Sequence, residues 1–210
     1  MQIVTLSDTH LRYVIIPDGD IVIHSGDLAF RGNFHEIVEA FETLKLGLAG
    51  TNFRKKFITP GNHDGLFQES PGFAKQIAEQ YGWTLLHNEL IEFEGIRFFG
   101  SAIQPVFGNW YFNEVDGRRA NFWDSAPDCD VLVTHCPAYG LLDKLEDGTH
   151  VGCRYIRKYI DEVKPKYAVC GHIHGSYGQI DHNWTTIINS SVCNEKYFAT
   201  NKPMEFTYVK

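Results

Sequence analysis

The sequence predicts an α/β fold in which two packed, mixed β-sheets are flanked by helices. Three observations point to it: five short apolar runs that each stop at metal-binding side chains, helical-period stretches set between them, and β-rich segments in the middle and near the end.

Residues 1–6 are apolar and β-branched and lead into Asp8 and His10. Residues 21–23 lead into Asp27, and residues 56–59 into Asn62 and His63. Residues 131–133 run into His135, and residues 167–169 into His172 and His174. Each run is bounded by Gly, Pro or polar residues, as buried strands are. Between them, residues 34–48 set Ile37, Phe41 and Leu44 at helical spacing, with Gly47 and Gly50 near the end. Residues 72–81 and 154–163 read likewise, the second stopped by Pro165. Residues 83–86, 90–93 and 96–99 read as successive strands with Glu94-Gly95 as a hairpin turn. A second β group is expected over 177–180, 185–188 and 205–209. In βαβ sheets, ligand-binding residues gather at the carboxyl ends of the strands, so the five blocks can converge on one site.

With 210 residues and no repeat or linker, the chain reads as one domain over 1–210. No uncharged run is long enough to cross a bilayer, so no membrane association is expected. The opening decapeptide already carries Asp8 and His10, so a cleaved leader is not expected either. The net charge of −7 opposes binding to long nucleic acid or anionic membrane. It does not oppose a small phosphorylated substrate, because bound cations reverse the sign inside a cleft. Five cysteines without CxxC spacing (Cys129, Cys136, Cys153, Cys170, Cys193) read as reduced, mostly buried thiols of a cytoplasmic protein.

The polar blocks, in order, are Asp8-x-His10, Gly26-Asp27, Gly61-Asn62-His63-Asp64, Thr134-His135 and Gly171-His172-Ile173-His174. Each alone is weak; together, each after an apolar strand, they are strong. Their mixed oxygen and nitrogen donors suit borderline divalent metals, with manganese expected first and iron, zinc, nickel or cobalt also compatible. Two such ions sharing a hydroxide can clamp a phosphate for in-line displacement.

These blocks resemble the five-block signature of the calcineurin-like metallophosphoesterase family, and the fold expected is that family's. The resemblance implies one ion held by Asp8, His10, Asp27 and His174, and a second by Asp27, Asn62, His135 and His172, with Asp27 bridging. It assigns His63 to the leaving group and Asp64 to orienting His63, although many relatives carry Glu at that position. Segments at 24–27, 131–143, 150–153, 164–178 and 189–192 are similar to a narrower branch, the metallophosphoesterase-domain-containing, class III cyclic-nucleotide-phosphodiesterase-like proteins. That likeness implies hydrolysis of small, nucleotide-like phosphodiesters. A phosphomonoesterase or protein phosphatase on the same site, or a non-catalytic metal-binding module, are the alternatives.

Around this centre, His24 reads either as a support for the ligands or as a packed strand residue. Trp110 and Asn113, in the segment WYFN, are expected near the cleft as a wall for a substrate base. Arg31, Arg118 and Arg119 are expected in solvent. The sequence gives no indication of oligomeric state.

Overall fold

A computed structural model describes residues 1–209. The first half contains β1 (Gln2–Leu6), β2 (Ile21–His24), α1 (Phe34–Gly47), β3 (Lys55–Ile58), α2 (Leu66–Glu69), α3 (Pro71–Gln80) and β4 (Thr84–Leu85). Then come β5 (Glu89–Phe93), β6 (Ile96–Ser101), β7 (Gln104–Pro105), β8 (Asn113–Glu114), α4 (Asp116–Asp124) and β9 (Val131–Thr134). The chain closes with α5 (Arg154–Val163), β10 (Tyr167–Cys170), a 3-10 turn at His174–Ser176, β11 (Gly178–His182), β12 (Thr185–Asn189) and β13 (Met204–Thr207).

One sheet has the order β13-β1-β2-β3-β4, with β1 to β4 parallel and β13 antiparallel at the edge. The other has the order β11-β12-β10-β9-β6-β5; its four inner strands are parallel and both edges antiparallel. Both sheets are mixed, as the sequence predicts.

Alternation along each strand sorts the side chains into three apolar layers. Ile3, Ile21, Ile23 and Phe57 of the first sheet meet Phe98, Val131, Val133 and Val169 of the second. The Phe57 and Phe98 rings lie 4.8 Å apart across this inner layer. The alternate residues Val4, Leu6, Val22 and Ile58 face outward onto α1 and α3. Leu132, Ala168 and Ile187 do the same toward Trp123 of α4 and Ile156 and Ile160 of α5. Past their last strand residues the two sheets are stitched together. Ser7 N–H donates to Ser190 O, and Val192 N–H donates to Ser7 O, both at 3.0 Å.

Asn33 caps α1 by accepting from Glu36 N–H, and the Glu36 carboxylate reaches back to the amides of Phe30, Arg31 and Gly32. This fastens the loop after Asp27. Helix α4 is not foreseen by the sequence reading, because DGRRANFWD buries just Arg119 and Trp123 and so lacks a readable apolar stripe. The strand expected over 83–86 shortens to the two residues of β4.

Because Phe57 fills the layer that joins the sheets, Phe57→Ala is expected to cost about 3–5 kcal/mol. Denaturant unfolding of the variant beside the parent chain measures it.

Candidate metal centre

Five strand ends supply the site. β1 delivers Asp8 and His10, β2 delivers Asp27, and β3 delivers Asn62 and His63; β9 and β10 bring His135, His172 and His174 from the other sheet. The backbone turns sharply there. Asp8 (φ 53°), His10 (φ 42°), Asp27 (φ 57°) and His172 (φ 69°) all occupy the left-handed region. That conformation costs roughly 1–2 kcal/mol for a residue with a Cβ. Local hydrogen bonds hold it: Asp8 N–H donates to Gly26 O at 2.8 Å and His10 N–H to Asp27 O at 3.1 Å. Two glycines make room. A Cβ at Gly61 would strike Asp27 Oδ1, and one at Gly171 would strike Asp8 Oδ2.

Seven of these side chains sort into two groups. Asp8, His10 and His174 bring ligand atoms within 4.8 Å of one another, and Asp27, His135 and His172 do the same. Asn62 Oδ1 joins the second group, 3.0 Å from His135 Nε2. Asp27 Oδ2 lies 3.3 Å from His135 Nε2 and 3.8 Å from His10 Nε2, so it faces both groups.

Three imidazoles are aimed by backbone carbonyls. His10, His135 and His174 each donate Nδ1–H, to Ala29 O (2.7 Å), Ser25 O (2.9 Å) and Asn194 O (2.9 Å). Their Nε2 atoms are thereby turned toward the carboxylates, as in histidines that bind metals. His10 Nε2 is buried without a hydrogen-bond partner. A buried polar atom in that state is rare, and a cation resolves it. The donor sets therefore fit two divalent cations, one per group.

Burial alone would raise Asp8 and Asp27. For Asp8, the His174 hydrogen bond and the charges of His135, His174 and His10 reverse that and hold it well below the usual carboxylate range. For Asp27, the charge and hydrogen bond of His135, then His63 and His10, do the same. Burial works against a charged His135 too, yet Asp27 raises it to about 9. The raised imidazole marks where the buried carboxylates call for positive charge. Burial and the nearby His135 lower His172 to about 4, keeping it a neutral donor.

Supporting residues that sequence reasoning missed include Ser7 and Ser191, whose hydroxyls donate to Asp8 Oδ2 at 2.5 and 2.7 Å. Ser7 carries no motif signal, and Ser191 lies in the 189–192 segment of the family resemblance without a role assigned to it. His24 proves to be a support: burial pushes it down to about 3, Gly26 N–H donates to Nδ1, and Nε2 lies 3.0 Å from the Thr9 hydroxyl between Asp8 and His10.

The structure corrects three expectations. Asp64 does not touch the His63 ring. It is fully buried and accepts from the amides of Leu28, Ala29 and Gly61, so it ties the Asp27 turn to the Asn62 turn. His63 is oriented by Phe30 O, 2.6 Å from Nδ1, and its Nε2 lies 3.9 Å from Asp27 Oδ2. Asn113 is spent within its own loop, donating to Phe107 O and Gly108 O and accepting from Gln104 Nε2, so its amide is not free for substrate. Trp110 does reach the cleft, its ring centroid 4.2 Å from that of His63. Arg119 is buried in a wall of the fold, while Arg31 and Arg118 are exposed as expected. All five cysteines are buried and unpaired.

Residues 1–176 match the family model described as Calcineurin-like phosphoesterase, and the chain belongs to that family. It is 30% identical to a UPF0046 protein of Caenorhabditis elegans, over 98% of this chain and 74% of that one. It is also 30% identical to metallophosphoesterase domain-containing protein 1 of Homo sapiens, over 97% of this chain and 69% of the relative. The crystal structure of TT1561 from Thermus thermophilus shares the fold, with a TM-score of 0.56 at 13% identity, covering 90% of this chain and 88% of that chain. Family membership supports metal-dependent hydrolysis of phosphate esters. No helix among the described residues is long and apolar enough to cross a membrane.

Two outcomes are expected. A cation must displace the proton of His135, whose imidazole is raised to about 9. Apparent metal affinity should therefore fall as pH falls below that value, by about tenfold per pH unit for one displaced proton. Calorimetric titration of chelator-treated protein reads this, and a flat profile between about pH 6 and 8 contradicts it. Asp64→Asn leaves an amide facing three backbone donors; a loss of about 1–3 kcal/mol in stability is expected. Thermal unfolding together with metal content checks it.

Proposed function

We propose that the chain hydrolyses small, nucleotide-like phosphodiesters with two divalent ions held by Asp8, His10, Asp27, Asn62, His135, His172 and His174. The observation that carries this reading is the lining of a 410 Å³ cleft. Asp27, Asn62, His63, His172 and His174 make its polar floor, and Phe107, Trp110 and Tyr197 its aromatic rim. A diester would place its phosphoryl group on the floor and lay a flat base on the rim, the combination of charged anchor and apolar wall that small-molecule sites use. Trp110 is 39% exposed and so offers a free face. Tyr197 stands edge-on to His10 and His174, with centroids 4.7 and 5.4 Å away, closing the opposite side.

Bound divalent ions would supply the positive charge that activates water at neutral pH and offsets charge gathering on the phosphoryl oxygens. The protein's own part falls to His63. With Nδ1–H held by Phe30 O, its Nε2 is directed toward the floor; in the protonated ring that atom donates to the departing oxygen. Manganese suits the carboxylate, amide and imidazole donors and is the first ion to test. Five buried, unpaired thiols favour the cytoplasm as the working compartment.

Turnover of bis(p-nitrophenyl) phosphate beside p-nitrophenyl phosphate, in manganese-loaded protein, tests the reading. The diester should be the better substrate, Asp27→Ala should abolish its turnover, and His63→Gln should lower kcat by about 10²–10⁴. Faster hydrolysis of the monoester overturns the diester assignment, and no turnover of either overturns the enzyme. For the rim, Trp110→Ala should raise KM for a nucleotide diester about fivefold or more, the loss of one stacked base.

A further inference from the structure

We propose that a second cavity, beside the metal cleft, binds a tetrahedral oxyanion of the phosphate class. The cavity is 320 Å³ and lies where α5 begins, with Arg119, Arg154, His150, Tyr139 and Tyr155 in its walls.

Arg119 is 7% exposed. One arm of its guanidinium donates to Glu114 O at 2.6 Å and the other pairs with Asp116, while Nε is buried without a partner. Its one carboxylate partner is weakly held, because the Asp116 side chain is 78% exposed and screened by water. Burying a guanidinium is costly unless negative partners meet its charge. Across the cavity, Arg154 stacks 4.2 Å over the Tyr139 ring and has no ion-pair partner among the described residues. His150 is held rigidly: its Nδ1 lies 2.5 Å from the fully buried Asp143, whose other oxygen accepts from Gly140 and Gly152 amides. Its Nε2 is the ring nitrogen left for a ligand, accepting from a phosphate hydroxyl in the neutral ring and donating to an oxyanion when the ring is protonated.

The start of α5 adds to this. No acidic residue occupies the first turn of the helix, so no charge of its own sequence offsets the positive end of its dipole. Two guanidinium groups, an oriented imidazole and the start of α5 thus meet in one cavity, against the single lining carboxylate of Asp116, in a chain whose net charge is −7. A bidentate guanidinium paired with point donors is the arrangement that suits phosphate or sulfate.

Two loops line both this cavity and the metal cleft. One gives Pro105 here and Phe107 and Trp110 there; the other gives Tyr139 and His150 here and Leu145 there. The oxyanion therefore has two sources, a free phosphate or the second phosphate of a substrate whose diester occupies the cleft, and the latter rests on the function proposed above.

Inorganic phosphate titrated into diamagnetic, metal-loaded protein tests the site, with the His150 imidazole NMR signal as readout and His150→Gln to identify that signal. A saturable shift is expected. Arg154→Gln, an exposed position, should weaken it about tenfold, equivalent to 1.4 kcal/mol, without moving the melting temperature. If the substrate is the source, Arg154→Gln also raises KM for a diester bearing a second phosphate relative to bis(p-nitrophenyl) phosphate. If the ligand is free phosphate, that ratio stays constant while phosphate binding weakens. Absence of a saturable shift, or an equal shift in Arg154→Gln, overturns the proposal. The phosphate readout needs no turnover, so it stands or falls separately from the diester assignment.

Discussion

Two carboxylates, Asp8 and Asp27, are buried where mainly imidazoles, hydroxyls and backbone amides face them, and this concentration of negative charge governs the rest of the site. Such groups are tolerable inside a protein only when paired and hydrogen-bonded. The surroundings answer that demand in layers. Ser7, Ser191 and the His172 amide hold Asp8, the His63 amide holds Asp27, and the remaining deficit is positive charge at the centre. The left-handed turns at the strand ends follow from the same demand, because they bend the backbone until its amides and the ligand side chains face inward together.

The parts of this centre that lie next to strands were readable in the sequence. Asp8, His10, Asp27, Asn62, His135, His172 and His174 each follow a short apolar run, so local pattern and ligand chemistry coincide. What stayed hidden has no letter of its own. The carbonyls of Ser25, Ala29, Phe30 and Asn194 aim four imidazoles, and any residue type could supply them. This explains the error at Asp64: the family resemblance assigned the acid to the neighbouring ring, while folding placed a carbonyl there and used the acid to gather amides. The aromatic rim was half legible. Trp110 stood in an obvious cluster, but Tyr197 reaches the site from a segment with no periodicity or motif. In the fold, the alternating strands announced both sheets, whereas α4 escaped because two buried residues in nine make no stripe.

The rim and floor are tied to each other through the short helix that follows the Asn62-His63 block. Gln68 accepts the Phe112 amide at 2.5 Å, and Glu69 accepts the Tyr111 hydroxyl at 2.6 Å. Asn113 and Gln104 then fasten the remainder of the loop to itself. The position of Trp110 over His63 is therefore set by bonds to α2 and by bonds within its own loop. A residue lost as a substrate contact, Asn113, returns as part of the frame that presents one.

The stitching of Ser7 to Ser190 and Val192 has a consequence for how the centre comes into being. Asp8, His10, Asp27 and Asn62 ride on one sheet, and His135, His172 and His174 on the other, so neither half of the molecule owns a complete coordination shell. Ions captured there act as rivets through the seam. Loading them rewards the docked arrangement and leaves the separated halves unrewarded, by mass action on the native form alone. Metal retention thus reports the integrity of the joint between sheets, so a fault in that joint would show first as lost metal.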